Sequence, residues 1–130
     1  MRIGSLFSGA GGLDMAVEAV FGGRTVWQAE LAPGPCKVLD YRWPAPNIGD
    51  ITKVDWVALK DGERDADGKT LADVDILCGG FPCQDVSSAG KRAGIKDGTR
   101  SGLWSIFAEA IDALRPQYVV IENVRGLLSA

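Results

Sequence analysis

Tyr118-Val119-Val120-Ile121 is an unbroken apolar run, and Ile76-Leu77-Cys78 is a second. Such runs suit strands buried on both faces of a parallel sheet. Three further strands are predicted: Arg2 to Phe7, Thr25 to Glu30, and a brief one from Asn47 to Ile51, with the second apolar run extending back to Val74. Helical periods lie between them. Leu13, Val17, Val20 and Phe21 fall on one face, Ala16 fills it, and Gly22-Gly23 stops the helix. Pro33-Gly34-Pro35 opens a short helix that runs to about Tyr41. Ser101 can cap a helix with Leu103, Phe107, Ala110 and Leu114 on one face and Trp104 and Ile111 beside them, ended by Pro116. Strands alternating with helices imply an α/β fold with right-handed crossovers. Lys60 to Thr70 and 85–100 read as exposed loops, and residues 1–130 as one domain without internal repeats.

Composition narrows the chemistry. The chain has no histidine, so it cannot build a Cys/His zinc site, a Cys-His pair or a Ser-His-Asp triad. Its three cysteines, Cys36, Cys78 and Cys83, are odd in number and form no CxxC pair. No run is long enough to span a membrane, and no signal peptide opens the chain, so an intracellular, cytoplasmic protein is expected. A net charge of −3 does not favour nucleic acid, yet Lys91, Arg92, Lys96 and Arg100 cluster after Cys83, opposed there only by Asp85 and Asp97. A solvated loop is the more common meaning of such a cluster.

Chemistry-bearing residues collect at strand ends. Phe7-Ser8-Gly9-Ala10-Gly11-Gly12 is a glycine-rich turn that lets a ligand approach the backbone. It starts like the dinucleotide fingerprint GxGxxG, but the last glycine position holds Asp14, which argues against a nicotinamide-dependent oxidoreductase. Glu30 ends the second strand, where an acid can take both hydroxyls of a ribose. Asp50 ends the third and can accept from an exocyclic amine. Each alone has an ordinary reading, as a tight turn, an exposed carboxylate or an Asx turn. In order, they lie along one rim of the sheet, as a nucleoside cofactor needs. Gly79-Gly80 then breaks the fourth strand and leads through Phe81-Pro82 to Cys83, either a nucleophile or an ordinary loop residue, while Glu122 ends the fifth strand next door. A redox thiol protein would require Cys78 and Cys83 to pair.

These pieces, with Gly49-Asp50-Ile51, Gly80-Phe81-Pro82-Cys83-Gln84, Arg100-Ser101-Gly102-Leu103-Trp104 and Glu122-Asn123-Val124, resemble the amino-terminal part of the C5-cytosine DNA methyltransferases over nearly all 130 residues. The resemblance implies a Rossmann-like fold with sheet order 3-2-1-4-5, incomplete on its C-terminal side. It implies S-adenosylmethionine as methyl donor, cradled by Phe7, Ser8, Gly9, Ala10, Gly11 and Gly12. Glu30 would hold the ribose, Asp50 and Ile51 the adenine, and Pro82 and Leu103 the pocket wall. Leu31 stands beside them, where members often carry an aromatic. Cys83 would attack C6 of a cytosine flipped out of double-stranded DNA, and a protonated Glu122 would donate to N3. Gln84, Ser87, Lys91, Arg92, Arg100 and Asn123 would face DNA.

Family members continue past Glu-Asn-Val with a further basic motif, the last strands of the sheet, a target-recognition domain and a terminal helix. The expectation is therefore half of a prokaryotic or phage-type restriction-modification enzyme. It would be active once complete, or else be a truncated or split cofactor-binding module that needs a complementary chain.

Overall fold

The computed structural model describes residues 1–80 and 103–123, with the side chain of Leu103 outside that set. Four parallel strands form one sheet in the order β2-β1-β3-β4, with β1 at Arg2–Leu6, β2 at Arg24–Ala29, β3 at Ile76–Gly79 and β4 at Tyr118–Ile121. Register is set at the centre, where Ser5 lies opposite Cys78 and Leu6 opposite Gly79, and Gly79 in turn lies opposite Ile121. The carboxyl ends of β1, β3 and β4 are therefore level, and their following residues share one rim.

The expected strand at 47–51 is reduced to one parallel bridge between Asn47 and Gln28. Two local features turn the backbone away from the sheet. Gly49 takes φ 76°, in the left-handed region. Asp50 then caps a 3-10 turn at Ile51–Lys53 by accepting from the Thr52 N–H.

Helix α1, Gly12–Phe21, lies on one side of the sheet, where Val17 packs with Ile3, Ile76 and Cys78, flanked by Leu13, Phe21 and Val120. Its buried face differs from the expected one: Val20 is 78% exposed and Ala16 is exposed, while Asp14 is wholly buried. Hydrogen bonds from Ser5 and Gln28 to Asp14 turn that side chain inward, which fixes the rotation of α1 that leaves Val20 in solvent. The opposite side carries α4, Leu103–Leu114, whose Phe107, Ala110 and Leu114 are buried against Leu6, Trp27 and Leu77 as its periodicity predicts. Burying a side chain such as Phe107 contributes about 2–3 kcal/mol. Ser101, its expected cap, lies outside the described residues.

Helix α2, Pro33–Arg42, begins at the proline pair. The short helix α3, Trp56–Lys60, is absent from the sequence reading. Asp55 starts it by accepting from the Ala58 N–H at 3.0 Å, and Trp56 packs tilted on Trp27 at 6.0 Å. The polar segment after it is exposed as expected over 61–69, but it is tied down. The Arg2 guanidinium donates to Asp65 Oδ2 at 2.5 Å, to the Thr70 carbonyl at 2.9 Å and to the Asp73 carbonyl at 2.5 Å.

Candidate functional site

The glycine turn leaves β1 through two left-handed residues, Phe7 at φ 51° and Gly9 at φ 57°. Gly11, at φ 89°, caps α1, and a Cβ there would lie 2.3 Å from the Trp43 ring. Trp43 is itself fixed, because its indole N–H donates to Glu18 Oε1 at 2.8 Å. Beside Gly9 there is open space among the described residues: its chain neighbours apart, a Cβ there would meet none of their heavy atoms within 4 Å. Ala10 and Gly12 are exposed at the outer side of the turn.

Glu30, one residue past β2, closes on the turn. Its Oε1 accepts the Gly9 N–H at 2.8 Å, and its Oε2 accepts the N–H groups of Leu31 at 2.9 Å and Ala32 at 2.8 Å. The carboxylate is thus held before any ligand arrives, with one lone pair of Oε1 left for a ligand hydroxyl. Its backbone is clasped by Asn47, whose Oδ1 accepts from the Glu30 N–H and whose Nδ2 donates to the Glu30 carbonyl, both at 3.1 Å. Sequence reasoning missed Asn47, which offers no signal beyond being an amide at the start of a brief strand.

Asp50 Oδ1 accepts from the Thr52 hydroxyl at 2.7 Å and the Thr52 N–H at 2.9 Å. These bonds hold the Asp50 carboxyl below its usual range, so it stays charged. A cavity of about 510 Å³ brings together Phe7, Glu30, Leu31, Asp50, Ile51 and Gly80. It combines apolar walls with two carboxylates, the make-up of a small-molecule pocket.

A smaller cavity of about 220 Å³ adjoins it beneath the turn, reaching Ser5, Ser8, Asp14 and Glu122. Glu122 follows β4, and its N–H donates to the Gly79 carbonyl at 3.0 Å. Its carboxylate lies over Gly80, where a Cβ would come within 2.5 Å of Oε2. Gly80 thus borders both cavities. Asn123 comes next, half-buried. Pro82, Cys83, Gln84, Ser87, Lys91, Arg92 and Arg100 lie outside the described residues, as does the side chain of Leu103.

Of the other two cysteines, Cys78 is a poor nucleophile. Cys78 is wholly buried in β3, and desolvation pushes its thiol up to about 12. That inertness removes the partner a redox pair with Cys83 would need. Cys36 donates from Sγ to the Glu30 carbonyl at 3.3 Å and accepts from Asn47 Nδ2 at 3.3 Å, so it belongs to the Glu30 clasp. Among the described residues no group of His, Cys, Asp and Glu could hold a metal ion, and no helix is long and apolar enough to cross a membrane.

The chain is 38% identical over 130 residues to the type II methyltransferase M.NgoFVII of Neisseria gonorrhoeae, covering 99% of itself and 32% of that relative. It is 38% identical over 126 residues to M.Eco47II of Escherichia coli, covering 95% of itself and 27% of that relative. A phage P1 protein named DNA N-6-adenine-methyltransferase is 38% identical over 136 residues, matched over 98% of this chain and 17% of its own length. The chain therefore spans about a third or less of the length of these relatives. Its fold is that of a prophage-encoded E. coli protein described as a DNA modification methyltransferase, with TM-score 0.74 and 23% identity over 98% of this chain and 33% of that one. A DNMT2 variant from Spodoptera frugiperda superposes with TM-score 0.69 and 21% identity over 99% of this chain and 37% of that one. The family profile of the C-5 cytosine-specific DNA methylases matches residues 1–130. That match runs over the whole chain, and the chain belongs to the C-5 cytosine-specific DNA methylase family.

Proposed function

We propose that this chain is the amino-terminal catalytic portion of an enzyme that transfers a methyl group from S-adenosylmethionine to C5 of cytosine in DNA. The observation that carries the reading is the convergence of Glu30 and Asp50 on one cavity beside an open glycine turn. The residues fit the cofactor. Glu30 would accept from the ribose hydroxyls, Asp50 from the adenine amine, and Phe7, Leu31 and Ile51 would pack on the base, with Pro82 and Leu103 completing the wall. Bound there, S-adenosylmethionine supplies an electrophilic methyl group.

The chain's own residues do the rest. Cys83, four residues past the end of β3, would add as thiolate to C6 of a flipped cytosine while Glu122 gives a proton to N3. C5 then carries the electron density that takes the methyl group. With S-adenosylhomocysteine as the leaving group of the methyl transfer, loss of the C5 proton to a base would re-form the C5–C6 double bond and expel the Cys83 thiolate, and N3 would return its proton to Glu122. Gln84, Ser87, Lys91, Arg92, Arg100 and Asn123 would face double-stranded DNA. In the whole enzyme the segment at 47–51 would act as the outer strand of a 3-2-1-4-5 sheet. The rest of the sheet and the recognition domain would come from further sequence or a complementary chain. Such an enzyme works inside the cell, in a restriction-modification setting.

The test is covalent trapping on DNA carrying 5-fluorocytosine, with the protein at its natural length. Wild type should form a stable adduct and Cys83→Ser should form none. An adduct undiminished in Cys83→Ser would remove the assignment. The phage P1 relative's name motivates one second reading, methylation of adenine, and base analysis of the methylated product separates the two.

A further inference from the structure

Asp14 belongs to none of the roles above, yet it is wholly buried and is the acceptor at the centre of a polar cluster. Its Oδ1 accepts from the Ser5 hydroxyl at 2.7 Å, and its Oδ2 accepts from Gln28 Nε2 at 2.8 Å. Each bond leads to a segment that lines the larger cavity.

The first path runs through Ser5. Its single proton is committed to Asp14, so Ser5 Oγ can only accept from Ser8 Oγ, 2.9 Å away. The Ser8 hydroxyl donates to Ser5, whose Oγ lies at 2.9 Å and whose backbone carbonyl lies at 3.2 Å, and its lone pairs face the Ala29 N–H at 3.3 Å. The Ser8 N–H donates to the Ala29 carbonyl at 3.2 Å, which closes a two-point clamp between the glycine turn and the end of β2. Ala29 immediately precedes Glu30, and Gly9, immediately after Ser8, donates to the Glu30 carboxylate.

The second path runs through Gln28. Its amide donates to Asp14, while its Oε1 has no hydrogen-bond partner among the described residues. Its backbone N–H donates to the Pro46 carbonyl at 3.0 Å, and its carbonyl accepts the Ile48 N–H at 2.7 Å. That contact places the segment that ends in Asp50.

We propose that Asp14 is a positioning residue for the cofactor pocket, setting the glycine turn, Glu30 and the Asp50 segment relative to one another through Ser5 and Gln28. The inference rests on the reading of that pocket as the S-adenosylmethionine site. It assigns Asp14 no contact with cofactor or substrate. Loss of its two acceptor oxygens leaves the Ser5 hydroxyl and the Gln28 amide unsatisfied in a buried place, and both must turn to find partners. An amide at position 14 would keep the shape. Its oxygen can accept from Ser5, and its nitrogen can donate to the partnerless Gln28 Oε1 once that amide rotates.

The experiment titrates S-adenosylmethionine by calorimetry into wild type, Asp14→Ala, Asp14→Asn and Ser5→Ala, at natural length and well below each melting temperature. Asp14→Ala and Ser5→Ala should bind roughly tenfold or more weakly, and Asp14→Asn within about threefold of wild type. In turnover, Asp14→Ala should raise the cofactor KM while kcat at saturating cofactor stays within about threefold. A lowered melting temperature with unchanged affinity in Asp14→Ala would reduce Asp14 to a structural residue and overturn the proposal. Asp14→Asn as weak as Asp14→Ala would overturn it as well. Ser5→Ala makes a smaller change and decides the matter if Asp14→Ala does not fold: unchanged affinity there overturns the proposal. A wild type that binds no cofactor overturns both this inference and the cofactor reading, whereas wild-type binding that the variants leave untouched overturns this inference alone.

Discussion

Glu30 shows how one carboxylate serves two ends. The sequence places it at the end of a strand, free for a ribose. In the structure three backbone N–H groups already occupy it, one from Gly9 in the neighbouring turn. Under the proposed cofactor reading, removal of the carboxylate costs the ligand its acceptor, and in any case it costs the turn its staple. Glu30→Ala should weaken S-adenosylmethionine binding by about 1–3 kcal/mol, the scale of lost charge-assisted hydrogen bonds. Glu30→Gln keeps an acceptor for Gly9 and should lose less. Calorimetry at natural length checks both, and an affinity for Glu30→Ala equal to wild type would rule the role out. Cys78 makes the opposite point. It reads in sequence as a possible thiol partner, but its burial in β3 keeps the sulfur protonated and inert.

At the level of elements, the break after β3 controls the site. Gly79 pairs with Ile121, so the carboxyl ends of β3 and β4 finish level and Glu122 arrives beside Gly80. The absence of a side chain at Gly80 is what lets the Glu122 carboxylate lie across it. Gly80→Ala should fold with a stability change within about 1 kcal/mol, because the group it meets is the movable end of a side chain. Turnover should fall by roughly tenfold or more, since the carboxylate is pushed from its place. Cofactor affinity should change by less than turnover does. Urea melts, calorimetry and a methyl-transfer assay on the same preparation separate the three, and normal turnover would show that Glu122 needs no such seat. The 47–51 segment teaches a related lesson. It is read from sequence as a brief strand, but Gly49 and the Asp50 cap make it a bridge and a turn, and that turn is what aims Asp50 at the cavity.

At the level of the molecule, β4 stands at the edge of the sheet and pairs only with β3 among the described residues. Tyr118, Val119 and Ile121 are 43%, 37% and 41% exposed. An apolar edge without Lys or Pro is a template for another strand. The 130-residue polypeptide produced by itself should therefore self-associate, and it should transfer no methyl group to cytosine, since its acidic surface attracts phosphate poorly. Val119→Lys should shift it toward monomer. Analytical ultracentrifugation and a tritiated-methyl assay test this, and a stable wild-type monomer with turnover on duplex DNA would refute it.

Much of this architecture is written in local pattern. Apolar runs and helical periods give β1 to β4, α1 and α4, because burial periodicity is a property of neighbouring residues. Glycines and strand-end acids mark the rim, because turn chemistry and strand length are local too. What only the tertiary structure decided are pairings between distant residues. Asp14 looks like a failed glycine position until Gln28, 14 residues on, turns its amide toward it. Asn47 reads as the first residue of a short strand until it clasps Glu30, 17 residues earlier. Arg2 reads only as the start of the first strand until it pins Asp65, 63 residues away. Each of these polar groups could be satisfied by water in an unfolded chain. At the wholly buried Asp14 the packed sheet removes the water and leaves Ser5 and Gln28 as the remaining donors, whereas the exposed Asn47 and Asp65 contacts form because the fold brings distant segments side by side.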